Sequence, residues 1–170
     1  MGENLSLSKL HFRTVTDTDR DFLLELYAST RASELSQTSW DERQINAFIE
    51  MQFRAQDIHY RNHYQGALFQ IVELNAQAIG RYYLHETEQD VRIMEITLLP
   101  DKRGGGIGRS LLQREIQIAH TNGKTLSLHV ECFNPAMRLF ERLGFRTKMP
   151  GQVYHYMECE PENFFNLRGG

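Results

Sequence analysis

Between Leu98 and Leu112 the chain reads Leu-Leu-Pro-Asp-Lys-Arg-Gly-Gly-Gly-Ile-Gly-Arg-Ser-Leu-Leu. An apolar strand end runs into a basic, glycine-dense turn, and the turn opens directly into an amphipathic helix. Glycines let backbone N–H groups approach a ligand with no Cβ in the way. A helix N-terminus adds unpaired donors and the positive end of a dipole. With Lys102, Arg103 and Arg109 around it, the segment reads as a phosphate cradle. Its spacing is not that of a P-loop, which needs Gly, four residues, then Gly-Lys-Ser/Thr. A dinucleotide fingerprint also fails, because the third glycine of G-x-G-x-x-G is Arg109 or Leu111, depending on the starting point.

The pattern does fit Arg-x-x-Gly-x-Gly, carried by Arg103, Gly106 and Gly108. A second segment follows at Asn134-Pro135-Ala136-Met137-Arg138-Leu139-Phe140-Glu141-Arg142-Leu143-Gly144-Phe145. Asn134 is a preferred helix cap and Pro135 suits the first helical position. Ala136, Leu139, Phe140 and Leu143 recur at helical spacing, and Gly144 supplies the left-handed position that ends the helix. Together, in this order, the two segments resemble the GNAT superfamily of acyl-CoA N-acyltransferases, over roughly residues 65 to 158.

The elements that must position these segments follow from hydrophobic period. Phe12 to Val15 reads as a strand, and Thr16 or Thr18 caps a helix with Phe22, Leu23, Leu26 and Tyr27 on one stripe. Ser39 and Glu42 fit a capping box that opens a second helix, with Ile45, Phe48, Ile49 and Phe53 inward. Ala67 to Leu74 and Ala78 to Leu84 form a hairpin about Asn75-Ala76-Gln77, and Val91 to Leu99 a third long strand. A helix from about Gly106 to Thr121, a half-buried strand over Leu126 to Val130, and the Asn134 helix come next. Two strands about Pro150-Gly151 close the order β-α-α-β-β-β-α-β-α-β-β. This is α/β (α+β), and the resemblance implies the GNAT fold: a mixed, mostly antiparallel sheet with helices on both faces.

The resemblance also implies chemistry. Acetyl-CoA is the cosubstrate, its pyrophosphate on Arg103, Gly104, Gly105, Gly106, Ile107, Gly108, Arg109 and Ser110. Its pantetheine pairs with backbone near Thr97, Leu98 and Leu99, and Asn134 also contacts that arm. The Leu98 N–H is the donor for the carbonyl oxygen. Thioester aminolysis further needs a base for the amine and an acid for the thiolate.

Glu95 is one candidate base. Alternation puts it on the face of Val91, Ile93, Thr97 and Leu99, where a charge is rarely buried unless paired or functional. Its other reading is an ion pair with Arg81 or Arg92. His129 is the second candidate, with an unperturbed pKa of about 6.5, or else a packed strand histidine beside Ser127 and Glu131. Where many relatives carry the tyrosine that protonates the thiolate, this chain has Phe140, so Tyr154 and Tyr156 are the substitutes. The same departure supports a second reading, a non-catalytic acyl-CoA-binding or regulatory module. The acceptor is a small-molecule or protein amine, and the polar and aromatic run from Phe53 to Arg61 is a candidate wall of its pocket.

At 170 residues the chain is one domain's worth, expected over 1–160 with a loose tail at 161–170. A net charge of −3 offers no general attraction for nucleic acid or membrane. Two cysteines are too few for a disulfide framework, the histidines lack metal-ligand spacing, and no apolar leader or span is present. The expectation is a cytoplasmic monomer or homodimer that holds no metal.

Overall fold

The computed structural model describes residues 7–161. In chain order these form β1 (Leu10–Thr14), α1 (Arg20–Leu35), α2 (Glu42–His63), β2 (Leu68–Leu74), β3 (Gln77–Glu86), β4 (Asp90–Leu98), α3 (Ile107–Thr121), β5 (Thr125–Glu131), α4 (Met137–Arg142), β6 (Arg146–Met149) and β7 (Tyr154–Cys159). One seven-stranded sheet runs β1-β2-β3-β4-β5-β7-β6. Its pairs are antiparallel except β4 with β5, the two strands joined through α3. The expected mixed, mostly antiparallel sheet is therefore present.

Period-2 burial splits the sheet into two faces. One packs Val72, Tyr82, Leu84, Ile93, Leu126, Leu128 and Met157 against Ile107, Leu111, Leu112 and Ile116 of α3, with Leu139 and Phe140 of α4 at its margin. The other packs Ile71 against Leu23 and Tyr27 of α1 and Ile49 and Phe53 of α2. Helices lie on both sides, as expected.

Local details depart from the sequence expectations in four places. The cap of α2 is Asp41, not Ser39: the Asp41 carboxylate accepts from the Gln44 N–H at 2.8 Å, and the Gln44 side chain accepts from the Asp41 N–H at 2.9 Å. A carboxylate serves that position as well as a hydroxyl does, so the box shifts by two residues. The β2–β3 turn is only Asn75-Ala76, both with left-handed φ, +51° and +62°. This is the twist-matched two-residue hairpin form. Asn134 does cap, accepting from the Ala136 N–H at 2.8 Å, but Pro135 and Ala136 form a turn and α4 begins only at Met137. Gly144, at φ +104°, ends that helix as expected.

The fourth departure matters for function. Tyr83 pairs with Glu95 but Leu84 pairs with Ile93, so Met94 is an extra residue in β4. Such a bulge inverts the alternation beyond it. Glu95 therefore shares a face with Thr97 but lies opposite Val91 and Ile93, which stay in the α3 core. Strict alternation would put all four together.

Candidate active site

The bulge also opens the sheet. β4 stays paired to β3 as far as Leu98, but to β5 only from Asp90 to Ile93. β5 runs on to Glu131, held by β7. Beyond Ile93 the two strands part, and one edge of β4 is left free. The Leu99 N–H donates to Ile79 O at 2.8 Å and the Thr97 carbonyl faces Gly80, so both are turned toward β3. Alternation then turns the backbone groups of Ile96 and Leu98 into the gap. The Leu98 carbonyl is taken by Arg103 Nε at 2.9 Å, which leaves the Leu98 N–H as a donor. Ile96 was missed by sequence reasoning, since only the bulge fixes which residues of β4 face the gap.

The glycine loop stands at the mouth of this gap. Gly104 and Gly106 have φ of +76° and +87°, conformations that favour glycine, and Gly106 caps α3. Gly105 and Gly108 have no such φ, and a Cβ built on either meets nothing within 4 Å. Neither backbone strain nor protein packing explains those two glycines, and the space beside them is unobstructed. That space, next to the free N–H groups of the first turn of α3, fits a pyrophosphate. Arg109 is exposed on that turn and Ser110 closes its first hydrogen bond, N–H to Gly106 O at 3.0 Å. Arg103 turns back, with Nη2 on Ser29 Oγ at 2.9 Å, and ties the loop to α1 and β4. The Asn134 amide NH2 makes no hydrogen bond to a described residue.

Glu95 and His129 lie on opposite lips of the gap, on the same face of the sheet, just past the last β4–β5 pair, Ile93 with Leu128. Glu95 Oε1 accepts from the Tyr60 hydroxyl at 2.6 Å and from Gln56 Nε2 at 3.0 Å, with Arg81 Nη2 at 3.5 Å. Among the described residues Oε2 accepts only from Thr97 Oγ1, at 3.2 Å. Arg81 is 2% exposed, donates to Gln56 Oε1 at 2.9 Å, and lies over the Tyr83 ring. Burial, the largest single influence, would lower the Arg81 pKa, yet the charge of Glu95 together with Tyr83 and Tyr60 outweighs it and holds the guanidinium above its ordinary value. Burial, with Glu95 adding to it, pushes the Tyr60 phenol well up, so Tyr60 keeps its proton and remains a donor. The expected ion pair of Glu95 with Arg81 is thus present, alongside a second carboxylate oxygen held by a single long hydrogen bond.

His129 Nδ1 meets Arg92 Nη1 at 3.2 Å. Arginine can only donate, so Nδ1 supplies the lone pair and the imidazole proton sits on Nε2. Burial and then the Arg92 charge lower the His129 pKa. The Tyr156 ring lies tilted against it, with centroids 5.2 Å apart, and its hydroxyl donates to Glu158 at 2.6 Å. Tyr154, opposite Glu131 in register, is 48% exposed and its hydroxyl is uncommitted among the described residues. Phe140 packs on Phe145 with ring centroids 5.8 Å apart.

Of the run Phe53 to Arg61, Gln56 and Tyr60 reach the gap. Arg61 pairs with Asp57 at 3.0 Å and His59 stacks on His63 at 4.3 Å, both away from it. Gln56 and Tyr60 are i,i+4 on α2, a spacing that puts them on one face and is readable from sequence. That they meet Glu95, 39 and 35 residues on, is not.

The sequence model of the acetyltransferase (GNAT) family matches residues 24–145. The chain belongs to that family. GNAT enzymes use acetyl-CoA, so it is an acyltransferase with acetyl-CoA as cosubstrate. No curated protein matches it in sequence. Among solved structures it is similar to PaiA N-acetyltransferase from Thermoplasma acidophilum in complex with coenzyme A (18% identity, 89% of this chain and 98% of that one, TM-score 0.65). It is also similar to spermidine N-acetyltransferase from Vibrio cholerae in complex with CoA and spermine (20% identity, 94% and 99%, TM-score 0.62). An acetyltransferase from Thermus thermophilus gives 20% identity, 89% and 97%, and a TM-score of 0.65. At these identities the likeness establishes the GNAT fold. Among the described residues no helix is long and apolar enough to cross a membrane.

Proposed function

We propose that this GNAT enzyme moves an acetyl group from acetyl-CoA to a primary amine by direct attack in a ternary complex. The observation that carries the reading is the gap itself, with a free backbone donor and the Glu95 carboxylate on one strand and His129 facing them from the other. Acetyl-CoA supplies an electrophilic thioester carbonyl. The Leu98 N–H points into the gap and can donate to an oxygen that gains charge as the amine attacks. Gly104 to Gly108, Arg109, Ser110 and the Asn134 amide hold the donor's polar arm, with Arg103 bracing the loop.

Glu95 is the base. Its Oε1 is fixed by Tyr60 and Gln56, while Oε2, with one weak donor, takes the proton that the acceptor ammonium must lose. His129 is less suited to that step, since its lone pair already serves Arg92; we assign it to positioning the acceptor. Tyr154, with an uncommitted hydroxyl on the same face, is the group that returns a proton to the thiolate. The acceptor is a small molecule or a protein amine. The test is thiol release across a library of amines, together with thermal stability. Acetyl-CoA and CoA should stabilise the protein while ATP and NAD do not. Absence of any shift with CoA at high concentration would remove the reading.

A further inference from the structure

Arg92 sits part-buried on the β4–β5–β7 face, and no carboxylate of a described residue touches it. Nε donates to Ser127 Oγ at 2.7 Å, Nη1 donates to His129 Nδ1 at 3.2 Å, and the guanidinium lies 5.1 Å over the Tyr156 ring. All three partners are neutral. Among the described residues Arg92 forms no ion pair. The Asp90 carboxylate acts on it only at a distance, through Ser127, whose Oγ donates to Asp90 at 2.7 Å, and Glu158 accepts from the Tyr156 hydroxyl at 2.6 Å. Other arginines here that are partly or fully buried do meet a carboxylate. Arg13 has Asp19 at 2.8 Å and Glu73 at 2.6 Å, and Arg81 has Glu95 at 3.5 Å. A guanidinium withdrawn from water is normally paired with an anion.

What remains open on Arg92 is Nη2, while the Nε2–H of His129 lies across the ring from the nitrogen that meets Arg92 and points away from it. Because Arg92 fixes the histidine tautomer, Nε2 is a donor there. The open N–H groups of a guanidinium match a carboxylate. Their place is equally specific. Arg92 and Glu95 share a face of β4 on either side of the bulge, roughly 7–10 Å apart along the strand at about 3.3 Å per residue. His129 faces them from β5.

We propose that the acceptor is a small amine that also bears a carboxylate, with the carboxylate on Arg92 and the amine at Glu95. The proposal rests on the transfer reading above. It distinguishes the acceptor from a polyamine, which would bring a second cation against Arg92.

The experiment compares amino acids and ω-amino acids with their own primary amides, and with spermidine, as acceptors for thiol release. The carboxylates should be preferred by roughly 10- to 100-fold in kcat/KM, mostly through KM, the range of hydrogen bonds to a charged group. In Arg92→Gln the preference should collapse to about 2-fold while CoA affinity shows that the protein is folded. Arg92→Lys, which keeps the charge but loses the fork, should fall between. Amides or spermidine used as well as the carboxylates, or a preference that survives Arg92→Gln, overturns the proposal alone. If no amine releases thiol, it is the transfer reading that fails. Calorimetric titration of the same pairs onto the CoA complex then decides this inference separately. Carboxylate-dependent binding lost in Arg92→Gln upholds it, and no carboxylate-dependent binding overturns it.

Discussion

On the donor side of the gap, the groups that would face a ligand belong to the backbone: the Leu98 N–H, the loop from Gly104 to Gly108, and the first turn of α3. On the acceptor side they are side chains, Glu95, Tyr60, Gln56 and Arg81, brought from α2, β3 and β4. A backbone-built site depends on local conformation and on the absence of side chains. A side-chain-built site depends on packing between distant elements, and each of its members can be removed singly. The two sides should therefore break independently, the first through binding and the second through turnover.

The largest effect is expected on the donor side. Gly106→Glu puts a side chain at φ +87°, which costs about 1–2 kcal/mol for an L-residue, and adds an anion where phosphate would lie. CoA binding, followed by calorimetry, should vanish; retained affinity would mean that phosphate sits elsewhere. Next comes Glu95→Gln, with kcat lower by roughly 100- to 10,000-fold, the usual worth of a positioned base, and CoA affinity unchanged. If the rate is kept across pH, Glu95 is structural and the base lies elsewhere.

How much of this is legible in the sequence divides along the same line. The loop and the Asn134 segment stand out because glycine, proline and capping residues act within a few positions of themselves. The acceptor side is legible only in part. Glu95 stands out as a misplaced charge with Arg81 as a partner, yet alternation assigns its face wrongly, because a one-residue bulge at Met94 leaves no mark in an apolar run. Tyr60 and Gln56 read only as part of a polar helix end. Their contact with Glu95 is set by how α2 lies across the sheet, which the sequence of α2 does not contain.

Two smaller effects sharpen the acceptor side. Tyr60→Phe removes the shortest hydrogen bond to Glu95, 2.6 Å, and should lower kcat by about 10-fold with little change in the KM for acetyl-CoA. An equal loss in both would assign Tyr60 to folding instead. Smaller again is the titration of His129. Burial and Arg92 hold it below its ordinary 6.5, so the unfolded chain binds that proton more readily. Its contribution to stability is complete above pH 6.5 and is lost as pH falls through the folded value. In Arg92→Gln the midpoint, followed by NMR of the imidazole, should move up, and an unmoved midpoint would deny the contact.

The account stands on the claim that acetyl-CoA seats along the free edge of β4. Amide hydrogen exchange on adding CoA tests this at two adjacent residues. The Leu98 N–H points into the gap, whereas the Leu99 N–H is already bonded to Ile79 at 2.8 Å. CoA should slow exchange at Leu98, and at Gly105 and Gly108, and leave Leu99 as it was. Exchange at Leu98 that is indifferent to saturating CoA would contradict the claim.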